Sequence, residues 1–181
     1  MRALFILLLL TSSLSAQSVP KVELGIGYSF ARMPVPLSTK PVNNHALALE
    51  ATANLNRRVG ITGEFDAYYH CVAGCLPYND IARNNSFVVL AGPKVRLGKG
   101  RFVPWVHGLA GYANLRFSED LGARSSWSGA AAAVGGGLDV VRGRFGVRVG
   151  QLDYLRTPGP LGHNNFRITT GFLINLGTRV K

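Results

Sequence analysis

The chain has 181 residues, a length that suits one domain, and its 20 basic and 9 acidic residues give a formal net charge of +11. After residue 16, no stretch is continuously apolar over the roughly 20 residues that a transmembrane helix requires. A polytopic helical membrane protein is therefore excluded. Any passage through a bilayer must be made by strands closed into a barrel, because only a barrel or a helix pairs every backbone group internally.

The first sixteen residues have the pattern of a signal peptide. Arg2 supplies a positive start, residues 3–10 are apolar, and small residues precede Ala16. We expect cleavage between Ala16 and Gln17, and a retained anchor is the alternative. An exported chain seldom meets nucleic acid, so we expect the positive charge to face an anionic membrane surface and not nucleic acid.

Eight segments of the remaining chain alternate apolar with small or polar residues, which is the period of a strand whose two faces differ. Each is long enough to cross a bilayer when tilted, which takes about 9–11 residues, whereas strands of soluble proteins average about five or six. The predicted strands cover residues 22–33, 46–57, 59–70, 86–97, 102–116, 129–141, 145–155 and 166–176.

The two faces are clear in most of these segments. In the last one, Phe166 and Ile168 alternate with Arg167 and Thr169, so the apolar side chains face lipid and the polar ones face the interior. The sequence allows two assignments of the faces of the fifth segment, because two alternations fit it and His107 falls on a different face in each.

Aromatic residues fall near both ends of the segments, as expected for girdles at the two membrane interfaces. Those toward one end are Phe102, Trp105 and Phe145. Those toward the other end are Phe30, Tyr69, Phe87, Tyr112, Tyr154 and Phe166.

The predicted connections alternate between long and short. The long ones are residues 34–44, 71–85, 118–128 and 156–165, and the short ones are 57–58, 98–100 and 142–144. Outer-membrane barrels have short periplasmic turns and longer external loops. An even strand number then places both ends of the barrel on the short-turn, periplasmic side.

Three runs of residues are typical of one family. They are Val-Gly-Gly-Gly-Leu-Asp at 134–139, Arg-Val-Gly-Gln-Leu-Asp-Tyr at 148–154, and the closing segment 164–177. With the signal peptide and the alternating connections, they make the sequence resemble the small outer-membrane β-barrels of the outer membrane protein A membrane-domain type. The resemblance implies an all-β, eight-stranded antiparallel up-and-down barrel over residues 17–181, located in the cell outer membrane.

Charged residues at inward positions predict an ionic network in the lumen. An eight-stranded barrel is narrow enough to be filled by side chains, so buried charges must be paired. We interpret the set as structural, and a small channel gated by exchange of ion pairs is the functional alternative. The predicted members are Glu23, Glu50, Glu64, Asp66, Lys94, Arg96, Asp139, Arg148 and Arg167.

The two cysteines, Cys71 and Cys75, lie four residues apart in the second long connection. An exported chain meets an oxidising compartment, so we expect a disulfide between them. Free thiols are one alternative. A metal site with His70 is the other, but it lacks the fourth ligand that zinc usually takes.

These patterns predict a non-enzymatic barrel with a structural or surface-interaction role, without catalytic residues, cofactor or metal ion. We expect a monomer that contacts outer-membrane lipids and lipopolysaccharide, with an extracellular partner possible through the long connections. The alternatives are a barrel enzyme acting on lipid and a small passive pore. No histidine has a serine in register for the proton transfer that a barrel hydrolase needs.

Overall fold

The computed structural model describes residues 19–33, 42–72, 82–98, 100–118, 124–158 and 163–177. The predicted signal peptide and Cys75 lie outside this part of the chain. No helix long and apolar enough to cross a membrane occurs in the described ranges.

Eight antiparallel strands form one closed barrel in which each strand pairs with its neighbours in sequence and β1 pairs with β8. This confirms the predicted all-β, eight-stranded up-and-down barrel. The strands are β1 (Val22–Met33), β2 (Val42–Asn54), β3 (Val59–Val72), β4 (Ala82–Arg96), β5 (Phe102–Ser118), β6 (Arg124–Arg142), β7 (Phe145–Thr157) and β8 (His163–Leu176).

The barrel is inside-out relative to a soluble protein. Large apolar side chains stand exposed on the outside, including Ile26, Phe172 and Val149, at 51%, 68% and 57% exposure. Charged side chains fill the inside, where Arg167 and Asp66 are buried. A closed barrel with an apolar exterior and a polar interior is the arrangement of a protein that spans an outer membrane.

Strand five resolves into one register. Trp105, His107 and Leu109 are buried in the lumen, while Val106 and Tyr112 face outward. The predicted place of Trp105 in an interfacial girdle is therefore wrong, because the register turns its indole ring inward.

Several strands extend farther than predicted at the loop end, so all four predicted long connections are wrong in length. β2 already begins at Val42, and β3 and β4 extend to Val72 and Ala82. The predicted connection 118–128 shrinks to 119–123 because β6 begins at Arg124, and 156–165 shrinks to 158–162 because β7 and β8 extend to Thr157 and His163. At the turn end, residues 143–144 join β6 to β7 in a tight turn that Gly143 permits with a φ of 65°.

Candidate functional site

The lumen holds the charged residues in layers, and the layer nearest the turn end is an ion pair between Arg96 and Glu23. Both side chains are 8% exposed. Nearby, the Asn54 side-chain amide donates to the Pro20 carbonyl at 2.8 Å. This layer closes the turn end of the barrel with paired charge.

Trp105 forms the next layer and lies against two cations. Its ring centroid is 4.3 Å from Lys94 Nζ and 4.6 Å from Arg148 Cζ, both within cation–π range. Gly137 pairs directly with Trp105 on β6, and a Cβ there would lie 2.7 Å from Trp105 Cζ2. The third residue of the triple-glycine run thus leaves room for the indole ring.

The lower ionic cluster consists of Glu50, Lys94, Asp139 and Arg148. Lys94 Nζ lies 2.8 Å from Glu50 Oε1 and 3.8 Å from Asp139 Oδ2. Arg148 pairs with Glu50, and its Nε lies 3.0 Å from Asp139 Oδ1. Two acids and two bases from four strands therefore neutralise one another in the middle of the lumen.

The upper ionic cluster is centred on Arg167. Its guanidinium pairs with Asp66 and lies 2.5 Å from both Glu64 Oε2 and Asp153 Oδ2. His107 stands between two of these acids, with Nε2 2.8 Å from Asp153 Oδ1 and Nδ1 3.4 Å from Glu64 Oε1. One arginine and one histidine thus face three carboxylates.

Gln151 joins the two clusters. Arg148 Nη1 donates to Gln151 Oε1 at 2.7 Å, and Gln151 Nε2 donates to Asp153 Oδ2 at 2.7 Å and to Glu64 Oε1 at 3.2 Å. The ionic lumen is therefore one connected network that spans β2 to β8.

An apolar core lies toward the loop end of the lumen, which the sequence interpretation did not predict. On β1 to β7, buried apolar residues follow the ionic ones toward the loops, as Leu109 follows His107 and Leu155 follows Asp153. On β8, the buried polar residue Asn165 holds this place. Leu109 and Leu155 pack as one core with Tyr68, Val88, Leu90, Ala31, Ala46, Ala113, Ala131 and Ala133. This plug covers the upper ionic cluster.

All nine predicted lumen residues lie inside, and the structure adds Asp153, Gln151, His107 and Trp105. Asp153 was missed because β7 shifts register between Arg148 and Gln151, so that both of these residues face inward although they are three apart. The signal was present in the sequence. Leu152 and Tyr154 are out of phase with the earlier apolar residues of the strand, which indicates one extra residue near Gly150.

A small cavity lies beside the network. This cavity of about 20 Å³ lies against Gly25, Gly27 and Gly171, beside Glu50 and Arg148, and a site of that size holds about one water molecule. Within the described ranges, no group of three or more His, Cys, Asp or Glu residues is arranged to hold a metal ion.

Comparison with known proteins rests on structure alone, because no family model and no curated protein sequence matches the chain. The barrel is similar to Ail, the attachment invasion locus protein of Yersinia pestis, with a TM-score of 0.60, 18% identity, and coverage of 86% of this chain and 99% of Ail. The barrel is also similar to Neisserial surface protein A, with a TM-score of 0.63, 11% identity, and coverage of 88% of this chain and 100% of that protein.

The N-terminal β-barrel domain of Pseudomonas aeruginosa OprF gives a TM-score of 0.57 at 15% identity, with coverage of 87% of this chain and all of that domain. The chain has the fold of a small eight-stranded outer-membrane barrel. The agreement covers whole barrels, so the resemblance drawn from the sequence is confirmed for the fold.

Proposed function

We propose that the protein is a non-enzymatic outer-membrane barrel whose lumen is a closed structural core and whose partners bind at the loop end. The observation that carries this proposal is the filling of the lumen along its length. The Arg96–Glu23 pair, Trp105, the two ionic clusters and the apolar plug follow one another along the lumen from the turn end to the loop end. Such an interior stabilises the barrel and offers no path for solutes.

An uneven loop end favours the surface role. The pairing of β6 with β7 begins at Ala132 and Arg156 and continues toward the turns. In the described part of the chain, residues 124–131 of β6 therefore pair with β5 alone. We propose the uneven rim at the loop end as the contact surface for an extracellular partner.

Lipopolysaccharide is the proposed lipid partner at this end. Arg32, Arg116 and Arg156 are exposed on the outside of β1, β5 and β7 near the loops, where arginine can bind phosphate groups in a bidentate manner. The structure of Ail, which is similar in fold, was obtained in complex with the heparin analogue sucrose octasulfate. That sulfated ligand belongs to Ail, and its presence on a barrel of the same fold supports the proposal of a polyanionic partner here. We propose that the barrel acts as a monomer.

A planar-bilayer recording tests the closed lumen. We expect protein that inserts into lipid, and migrates differently on a gel before and after boiling, to show no steady conductance. Glu64→Gln should destabilise the barrel without opening it. Steady conductance of the unaltered protein, or a raised ion flux in Glu64→Gln at unchanged stability, would favour the pore or the gated channel.

The disulfide between Cys71 and Cys75 stays part of the proposal. Cys71 lies in β3 and Cys75 lies outside the described residues. We expect both thiols to resist alkylation until a reductant is added, as measured by mass spectrometry. Alkylation of the native, unreduced protein would show free thiols, and a stoichiometric bound metal would support the site with His70.

A further inference from the structure

We propose that a ring of basic side chains at the turn end binds the phosphate headgroups of anionic phospholipids in the periplasmic leaflet. The inference rests on the proposed outer-membrane location and adds a partner on the opposite side from the loops. The ring, termed the basic collar, consists of six exposed residues: Lys21, Arg57, Arg58, Arg101, Arg142 and Arg144.

Backbone hydrogen bonds hold the collar at the rim of the barrel. Four collar residues stand just before β1, β3, β5 and β7, and the carbonyl of each accepts a bond from the neighbouring even-numbered strand. The donors are the amides of Asn54, Arg96, Val141 and Asn175, and the acceptors are Lys21, Arg58, Arg101 and Arg144, over 2.9, 2.7, 2.9 and 2.8 Å respectively. The backbone positions of these four residues are thus fixed around the rim of the barrel.

The collar lies at the edge of the apolar exterior. Arg101 directly precedes Phe102, which is 62% exposed, and Arg144 directly precedes Phe145, which is 69% exposed. Aromatic side chains at this position mark the membrane interface. A long arginine side chain beside them reaches the headgroup layer while its stem stays against apolar groups.

The collar charge is uncompensated. The described turn-end residues 19–21, 55–58, 97–98, 100–101 and 142–144 contain no acid, and no collar residue forms an ion pair with another described residue. The described acids all lie in the lumen, as the ion pairs above show. A positive ring on every side of the barrel matches the lipids that surround it, whereas a protein partner would occupy one side.

The test compares lipid binding by two variants of the full chain. The turn-end variant is Arg58→Gln/Arg101→Gln/Arg144→Gln, and the matched control keeps the charge at the same three positions with Arg58→Lys/Arg101→Lys/Arg144→Lys. Each protein is placed in phosphatidylcholine vesicles, and its association with spin-labelled phosphatidylglycerol is measured relative to spin-labelled phosphatidylcholine. The unaltered protein should prefer phosphatidylglycerol about fivefold or more at about 0.1 M salt, and this preference should fall toward one at about 1 M salt.

The turn-end variant should lose most of the preference and the control should keep most of it. Equal losses in the two variants, a larger loss in the control, or no preference in the unaltered protein would overturn the proposal. If the turn-end variant does not insert, the unaltered protein provides the test. Its preference for phosphatidylglycerol should then fall toward one at high salt, and a preference that does not change with salt would contradict the collar. Insertion in pure phosphatidylcholine without any preference would contradict the collar and leave the proposed function intact, whereas failure to insert would contradict the proposed function.

Discussion

Arg167→Met is expected to lower the free energy of unfolding by about 3–5 kcal/mol, because it leaves buried charges without their partner. Arg167 is 1% exposed, and its guanidinium neutralises Glu64, Asp66 and Asp153 together. Without it, the His107 ring is the basic side chain that remains beside two of these acids. Urea unfolding in lipid vesicles, followed by the gel shift between folded and unfolded protein, measures the change.

Arg156→Met is the matched control, because this arginine is exposed on the outside of β7. Its effect should stay within about 0.5 kcal/mol. Adding Glu64→Gln and Asp66→Asn to Arg167→Met should restore part of the loss, since it removes the uncompensated acids. Equal effects of Arg167→Met and Arg156→Met would contradict the account of the upper cluster.

Arg148→Met should have an effect of similar size, about 3–5 kcal/mol, for a related reason. Arg148 pairs with Glu50 and Asp139, donates to Gln151, and lies over the Trp105 ring. Its loss leaves two carboxylates with Lys94 alone and breaks the link between the clusters. Thermal unfolding in the same vesicles measures the loss of stability, and the fluorescence of Trp105, in a chain whose Trp127 is replaced by phenylalanine, serves as a second signal.

Arg148→Lys separates charge from geometry. A lysine keeps the positive charge but cannot make the forked contacts of a guanidinium. We expect it to restore only part of the stability lost in Arg148→Met. A fully restored stability would show that the charge alone matters, and an unchanged stability of Arg148→Met itself would contradict the structural role of the lower cluster.

The sequence was sufficient for the number of strands, the faces of most of them and the inward position of nine charged residues. Lipid outside and charge inside impose a strict period of two, so Ile168 beside Arg167 already identifies the two faces of β8. Strand five lacked this contrast, because Pro104, Gly108 and Gly111 interrupt the apolar series. Its register, and with it the inward position of Trp105, follows only from pairing with β4 and β6.

Pairing between distant strands could not be predicted. Arg148 meets Glu50 across 98 positions of sequence, and Arg167 meets Glu64 across 103, because closure of the barrel brings their strands to a common lumen. The extension of β6 was missed for another reason. Ser126 and Ser128 are polar residues at positions where a strand within lipid has apolar ones. The alternation of apolar and polar residues therefore ends before the strand does.

The most direct test of an inside-out barrel with a charged core is a spin-label scan of β7. Single cysteines at residues 147–154, in a chain whose Cys71 and Cys75 are replaced by serine, report access to oxygen dissolved in the lipid. We expect high access at Val147, Val149, Leu152 and Tyr154 and low access at Arg148, Gln151 and Asp153, with the alternation changing phase at Gly150. Uniform access along the strand would contradict the barrel, and an alternation that continues unbroken through Gly150 would place Asp153 in lipid and contradict the ionic lumen.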